Sequence, residues 1–290
     1  MALDIVFAVG FQVLSGVATL LITSLGLAII FGMMRVINLA HGEFLMLGAY
    51  AAILSARAGL NIWIAMLVVA PLAVGGIGLI IERLIIRQLY GRMVDTMLAT
   101  WGLSLALIGA VTMIFGNTVA GFSAPLGSFA IGSFTASAYA LFLIVAAVIL
   151  LGGVWAILRF TPAGLIARGT MQNAEMASAL GVSPDRVYAV TFAAGSAVSG
   201  LAGALIAPFS GVVPTMGAAF IAKSFITVIT GGAAMLAGTF SASGLLGTVA
   251  TLGTFATTPV FGEVMMLAVA IVLLRLLPQG ITGRFFRRAL

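Results

Sequence analysis

Residues 138–158 read AYALFLIVAAVILLGGVWAIL, 21 positions without a single charge. As a helix rising 1.5 Å per residue this stretch is about 30 Å long, the thickness of the hydrocarbon core of a bilayer. Working outward, the scattered charges cut the rest of the chain into runs of similar character: 5–34, 36–56, 61–81 and 96–115 before it, then 187–207, 219–236, 238–257 and 264–277 after it. The first would be about 45 Å long as one helix, so it must tilt, protrude or fold back. Residues 219–257 are rich in Gly, Thr and Ser, which suits broken or re-entrant helices. The expectation is an all-α integral membrane protein with about eight to ten transmembrane helices, some broken or re-entrant. It forms a single transmembrane domain, 1–290.

Composition agrees. Of 290 residues, 62% are hydrophobic and 7% charged, where a soluble domain carries about 25% charged residues. Mean hydropathy is +1.28. That much apolar surface cannot be hidden in one core, so a water-soluble enzyme, a disordered chain and a disulfide scaffold are excluded. The 36 glycines suit helices packed closely in lipid, and the absence of cysteine removes disulfides, thiolate metal sites and cysteine nucleophiles. The residues before the first run lack a basic segment and the run is too long for a cleaved signal, so it is read as a span that stays.

The net charge of +6 would suggest nucleic acid in a soluble protein; here it reads as arginine on cytoplasmic loops, with no nucleic-acid partner. Arg35, Arg83, Arg87, Arg92, Arg159, Arg168, Arg186, Arg275, Arg284, Arg287 and Arg288 all fall on one face if nine runs alternate. The positive-inside rule makes that face cytoplasmic, with the C-terminus inside a bacterial-type plasma (inner) membrane. The uncharged stretch 116–137 then lies outside.

No G-x-x-x-x-G-K-[ST], H-E-x-x-H or G-x-S-x-G occurs, and His41 is the single histidine. The chain therefore shows no nucleotide-binding motif, metal site or hydrolase signature, and catalytic residues are expected to be none. The polar cluster Asn38-Leu39-Ala40-His41-Gly42-Glu43-Phe44 sits inside an apolar run, where ionisable groups usually face a cavity or a partner. On a helix Asn38 and His41 share a face while Glu43 points away. Two readings stand: a helix start capped by Asn38 with Glu43 in a wet vestibule, or direct contact with a translocated molecule. Lys223 is the second anomaly. Either it snorkels from a helix end, or it turns inward beside Thr227 and Thr230 to meet an anionic or carbonyl-bearing solute. Gly195, Ser199, Gly203 and Ala207 recur every fourth residue, a small-residue ladder for close helix packing within the chain or between subunits.

The segment 159–186 is the longest polar interruption. Residues 172–181 read as a short helix ended by Gly181, and Ser183-Pro184 as the start of the next. Its apolar face, Met176, Ala177 and Leu180, is available to a soluble partner.

These residues carry a family resemblance. Gly26-Leu27-Ala28-Ile29-Ile30-Phe31-Gly32, Ile37-Asn38-Leu39-Ala40-His41-Gly42-Glu43, Met176-Ala177-Ser178-Ala179-Leu180-Gly181-Val182 with Asp185-Arg186-Val187, and Pro278-Gln279-Gly280 occur in order. On them the chain resembles, over essentially its whole length, the permease subunits of ABC importers for branched-chain amino acids, urea and short amides. The resemblance implies a second homologous permease, two cytoplasmic ATP-binding subunits that carry ATP and Mg, and an extracytoplasmic solute-binding protein. It also implies that residues 172–184 form a coupling helix, with Glu175, Met176, Ala177, Leu180 and Gly181 facing the ATPase. The sequence departs from the wider Glu-Ala-Ala pattern there, having Ala174-Glu175-Met176-Ala177. Leu89-Tyr90-Gly91-Arg92, Asp95-Thr96 and Leu98-Ala99-Thr100-Trp101-Gly102 look more like the urea/amide branch. The alternative is an ion-coupled secondary transporter or channel, for which only Glu43 and Glu263 lie near the runs.

Overall fold

The computed structural model describes residues 2–131, 134–232 and 234–286. Arg287 and Arg288 of the basic tail lie outside them. Each of the nine apolar runs is helical over most of its described length. In chain order they are α1 (Ala2–Met34), α2 (His41–Arg57), α3 (Ile62–Ile64) continued through a π-turn (Ala65–Val69) into α4 (Ala70–Leu84), α5 (Met93–Phe115), α6 (Ala138–Phe160), α9 (Pro184–Ser210), α10 (Gly217–Gly231), α11 (Met235–Ala256) and α12 (Pro259–Leu276). Short helices α7 (Pro162–Gln172), α8 (Ala174–Ala179) and α13 (Gly280–Phe286) complete the set. Seven of the described helices are long and apolar enough to cross a membrane; α2, at 17 residues, and α10, at 15, are shorter.

The first run does not fold back: α1 is continuous over 33 residues. Of the two runs expected to be broken, the second is a full 22-residue helix and only α10 is short. The π-turn has a local cause. Pro71 has no N–H for the Leu67 carbonyl, and widening the turn ahead of it relieves the clash. One element was not expected. Ser128–Ile131 and Phe134–Ser137 pair as an antiparallel hairpin inside the stretch read as loop, with Ser128 opposite Ser137.

The chain divides into two compact units. One comprises residues 25–122 and 153–222. At its centre α9 packs along α2 and α4. Between α2 and α9 the contacts are backbone to backbone: a Cβ on Gly48 would stand 1.9 Å from the Gly200 carbonyl oxygen. The start of α10 is as close, a Cβ on Gly42 standing 2.4 Å from the Gly217 carbonyl oxygen. Around this seam lie Ile30, Phe44, Val74 and Phe192, the two aromatic rings meeting edge to face at 6.0 Å.

The other unit comprises residues 1–24, 123–152 and 223–290. Here α11 packs on α12, and Leu20, Leu246, Met266 and Ala270 form its buried cluster. Gly247 lets α11 approach Val17 of α1, where a Cβ would come within 2.8 Å of the Val17 Cα. The break between α10 and α11 is closed by α13. Gly232 (φ +84°) lies against Gly280 (φ +75°), and the Thr282 hydroxyl donates to the Gly231 carbonyl at 2.6 Å while accepting from the Ala234 N–H at 3.1 Å.

Candidate functional site

The polar cluster ahead of α2 begins where α1 stops. Arg35 takes φ +52° and turns the chain, and α2 starts at His41. Asn38 therefore lies before the helix and not on a face shared with His41, which corrects the expected i, i+3 pairing. Its Oδ1 accepts the Ala40 N–H at 3.1 Å, a local turn that competes with helix and delays its start. The Leu39 N–H donates to Thr100 Oγ1 of α5 at 3.1 Å, so the turn is anchored across 61 residues of sequence.

His41 is fully buried. Ser199 Oγ stands 3.2 Å from its Nδ1 and donates to the Gly195 carbonyl at 2.9 Å. The hydroxyl links α2 to α9 through the imidazole Nδ1. Ser199, a member of the small-residue ladder on α9, thus holds the histidine of α2. Gly203 continues the seam: a Cβ there would stand 1.8 Å from the Leu45 carbonyl oxygen. A Cβ on Gly195 would stand 2.9 Å from the Gly26 carbonyl of α1. The ladder faces helices of its own chain.

Glu43 does not sit in a wet vestibule. It is 3% exposed, and its carboxylate meets Ser104 of α5. Its Oε2 and the Nδ2 of Asn38 are buried without a hydrogen-bond partner. Leaving such a group unmatched costs about 1–3 kcal/mol, which makes this pair an acceptor and a donor still to be matched.

Lys223, Thr227 and Thr230 lie on α10, in the other unit. The Lys223 ammonium is 2.5 Å from Glu263 Oε1 in the first turns of α12, and both side chains are partly exposed. Thr227 is buried and its hydroxyl donates to the Lys223 carbonyl at 2.7 Å. Thr230 and Ser224 are also buried, with hydroxyls that have no partner. Thr282, which grips the break after Thr230, carried no signal in the sequence beyond following Pro278-Gln279-Gly280.

The segment 159–186 holds two helices where one was expected. Thr161 caps α7, its hydroxyl accepting the Gly164 N–H at 3.1 Å. Asn173 then caps α8, its Oδ1 accepting the Met176 N–H at 2.9 Å. Gly181 ends α8 with φ +85°, and Pro184 opens α9. Glu175, Met176 and Leu180 are exposed, Leu180 at 78%. Ala177 is not part of that surface: it is 9% exposed and faces inward, a correction to the expected apolar face.

At the same end of this unit Arg87 of the α4–α5 connection pairs with Asp185 at 3.5 Å. Tyr90 donates its hydroxyl to Glu82 and sets its ring against Tyr188 at 5.0 Å. Burial, then the Glu82 acceptor, pushes the Tyr90 hydroxyl well above the ordinary tyrosine range. The Leu89–Arg92 stretch, read as a solute signature, is thus engaged in bracing the ends of α4, α5 and α9.

Comparison with known proteins gives a family model described as branched-chain amino acid transport system / permease component, matching residues 10–274. The high-affinity branched-chain amino acid transport system permease protein LivH of Salmonella typhimurium is 29% identical over 292 residues, covering 94% of this chain and 95% of its own. BraD of Pseudomonas aeruginosa, described as a permease protein of the same kind of system, is 25% identical over 227 residues and 71% of each chain. Among solved structures, PsaBC from Streptococcus pneumoniae in complex with Fab aligns with a TM-score of 0.51 over 96% of this chain and 94% of that one, at 14% identity, a likeness of fold.

Proposed function

The chain belongs to the permease component family of branched-chain amino acid transport systems, and from that premise we propose that it is a membrane-spanning subunit of an ATP-driven importer of branched-chain amino acids. The family match along almost the whole chain carries this reading. The chain has no phosphate-binding loop of its own, so ATP and Mg belong to two partner subunits on the cytoplasmic side. A second homologous permease completes the pathway, and an external binding protein delivers the solute.

In this reading the basic end of the unit comprising 25–122 and 153–222 faces the cytoplasm. There α8 offers Met176 and Leu180 to the ATPase, and α9, continuous from Pro184, carries its motion into the membrane. Rigid-body rocking of packed helices switches the side to which the pathway opens, with no covalent step in this chain. Within that unit Asn38 and Glu43, with a buried donor and a buried acceptor unmatched, are the polar groups that would meet the solute.

Uptake in cells expressing the whole importer tests the solute class. Labelled leucine should enter only when this chain is present, and excess urea or acetamide should not compete. Leucine uptake unaffected by deleting the chain would overturn the reading. Competition by urea and acetamide instead would move the solute to the amide branch that Leu89–Arg92 suggests.

A further inference from the structure

An apolar groove of about 190 Å³ opens at the basic end of the unit comprising 25–122 and 153–222. Its walls come from α1 (Met33), α6 (Leu158), α7 (Gly164, Ala167) and α9 (Thr191, Ala194), and Thr191 supplies the one hydroxyl in the lining. The approach of α7 is built in. A Cβ on Gly164 would stand 2.3 Å from the Ile157 carbonyl, so only glycine lets α7 double back across the end of α6. The Thr161 hydroxyl fixes the joint, donating to the Ile157 carbonyl at 2.6 Å.

The outer side of this corner is apolar as well. Leu165 and Ile166 of α7 are exposed, and Trp155 and Phe160 of α6 stack edge to face at 5.2 Å, both exposed. An amphipathic helix beside an aromatic pair at the end of a span is the pattern of a helix lying in the membrane interface. Charge follows the same line. The Arg168 Nε donates to the carbonyl of Gly164, in the groove wall, at 3.4 Å. Arg159 directly follows Leu158, and Arg35 lies two residues beyond Met33. Arg35, Arg159 and Arg186 have no ion-pair partner among the described residues, and no carboxylate lines the groove.

We propose that this groove seats one acyl chain of an anionic phospholipid from the cytoplasmic leaflet, with the headgroup phosphate held by Arg168 and Arg159. An apolar slot with the Arg168 guanidinium on the Gly164 carbonyl of its wall, and Arg159 next to Leu158 in the chain, matches an amphiphile with an anionic head. Only Asn173 separates α7 from α8. An occupied groove therefore fixes the helix from which the coupling segment hangs. That consequence rests on the coupling role proposed above, while the lipid site itself does not.

The test is native mass spectrometry of the assembled importer, exchanged in mild detergent into an equal mixture of phosphatidylglycerol and phosphatidylcholine. The wild type should retain phosphatidylglycerol in preference. Arg168→Gln should lower that retention about fivefold, the expected effect of one basic residue at an anionic surface. Ala194→Phe fills the groove from an exposed position on α9 and should remove the preference. Arg57→Gln, at the opposite end of the unit, should leave it unchanged. Equal retention of the two lipids by the wild type, or an undiminished preference in both groove variants, overturns the site. So does a cross-link from Ala194→Cys to the second permease, which would show a protein occupant. Retention is read without solute or ATP, so it fails or succeeds independently of leucine uptake.

Discussion

A methyl group on Gly203 would stand 1.8 Å from the Leu45 carbonyl oxygen, and the same holds at 1.9 Å between Gly48 and Gly200. Side chains cannot relieve these contacts, because the clashing atoms are backbone. Gly203→Leu should therefore destabilise the chain by about 3 kcal/mol or more, the upper range for overpacking a tight core. The apparent melting temperature and yield of the purified complex check this. Gly10→Leu is the matched control, since a Cβ there meets nothing within 4 Å and both readouts should stay at wild-type values. The every-fourth spacing on α9 was legible because a helix repeats locally. Which helix it faces was not, since a stripe of small residues names no partner. His41 stood out as the single histidine, yet its contact with Ser199 spans 158 residues and leaves no local trace. Glu43 was misjudged for the same reason: the Ser104 that receives it lies on another helix.

Among the elements, the long apolar helices announced themselves by length and lack of charge, the end of α8 by Gly181 and the start of α9 by Ser183-Pro184. What escaped was α7. Its sequence holds two glycines and mixes apolar with polar residues, so no run marks it, and its helicity depends on the Thr161 cap and the fold-back at Gly164. Ala177 was placed on the outer face because adjacent apolar residues in a six-residue helix look alike in sequence. Only packing separates it from Met176 and Leu180. The exposed pair gives a prediction at this scale. Leu180→Asp, on a side chain 78% exposed, should leave the stability within about 0.5 kcal/mol of wild type, read as an unchanged melting temperature, as surface changes do. It should nonetheless lower co-purification of the ATPase subunits and solute-stimulated hydrolysis at least tenfold, since a buried unpaired carboxylate in an interface costs more than 1.4 kcal/mol. Equal co-purification and hydrolysis in this variant would remove α8 from the interface.

For the whole molecule, 20 charges among 290 residues first said only that the chain lives in a membrane. Their positions in the structure add the architecture of one end: Arg87 on Asp185, Tyr90 on Glu82, α8 exposed, and an apolar groove with Arg168 on the Gly164 carbonyl of its wall. Division into two units left no mark on composition, because both are equally apolar and the chain returns to each. The central claim is that import through this chain is driven by ATP on partner subunits. The most direct measurement reconstitutes the whole importer in proteoliposomes and follows leucine accumulation with ATP supplied on the ATPase side, beside a hydrolysis-deficient ATPase variant. Accumulation should require ATP and cease in the variant. Accumulation that persists without ATP and follows an imposed proton or sodium gradient would contradict the account.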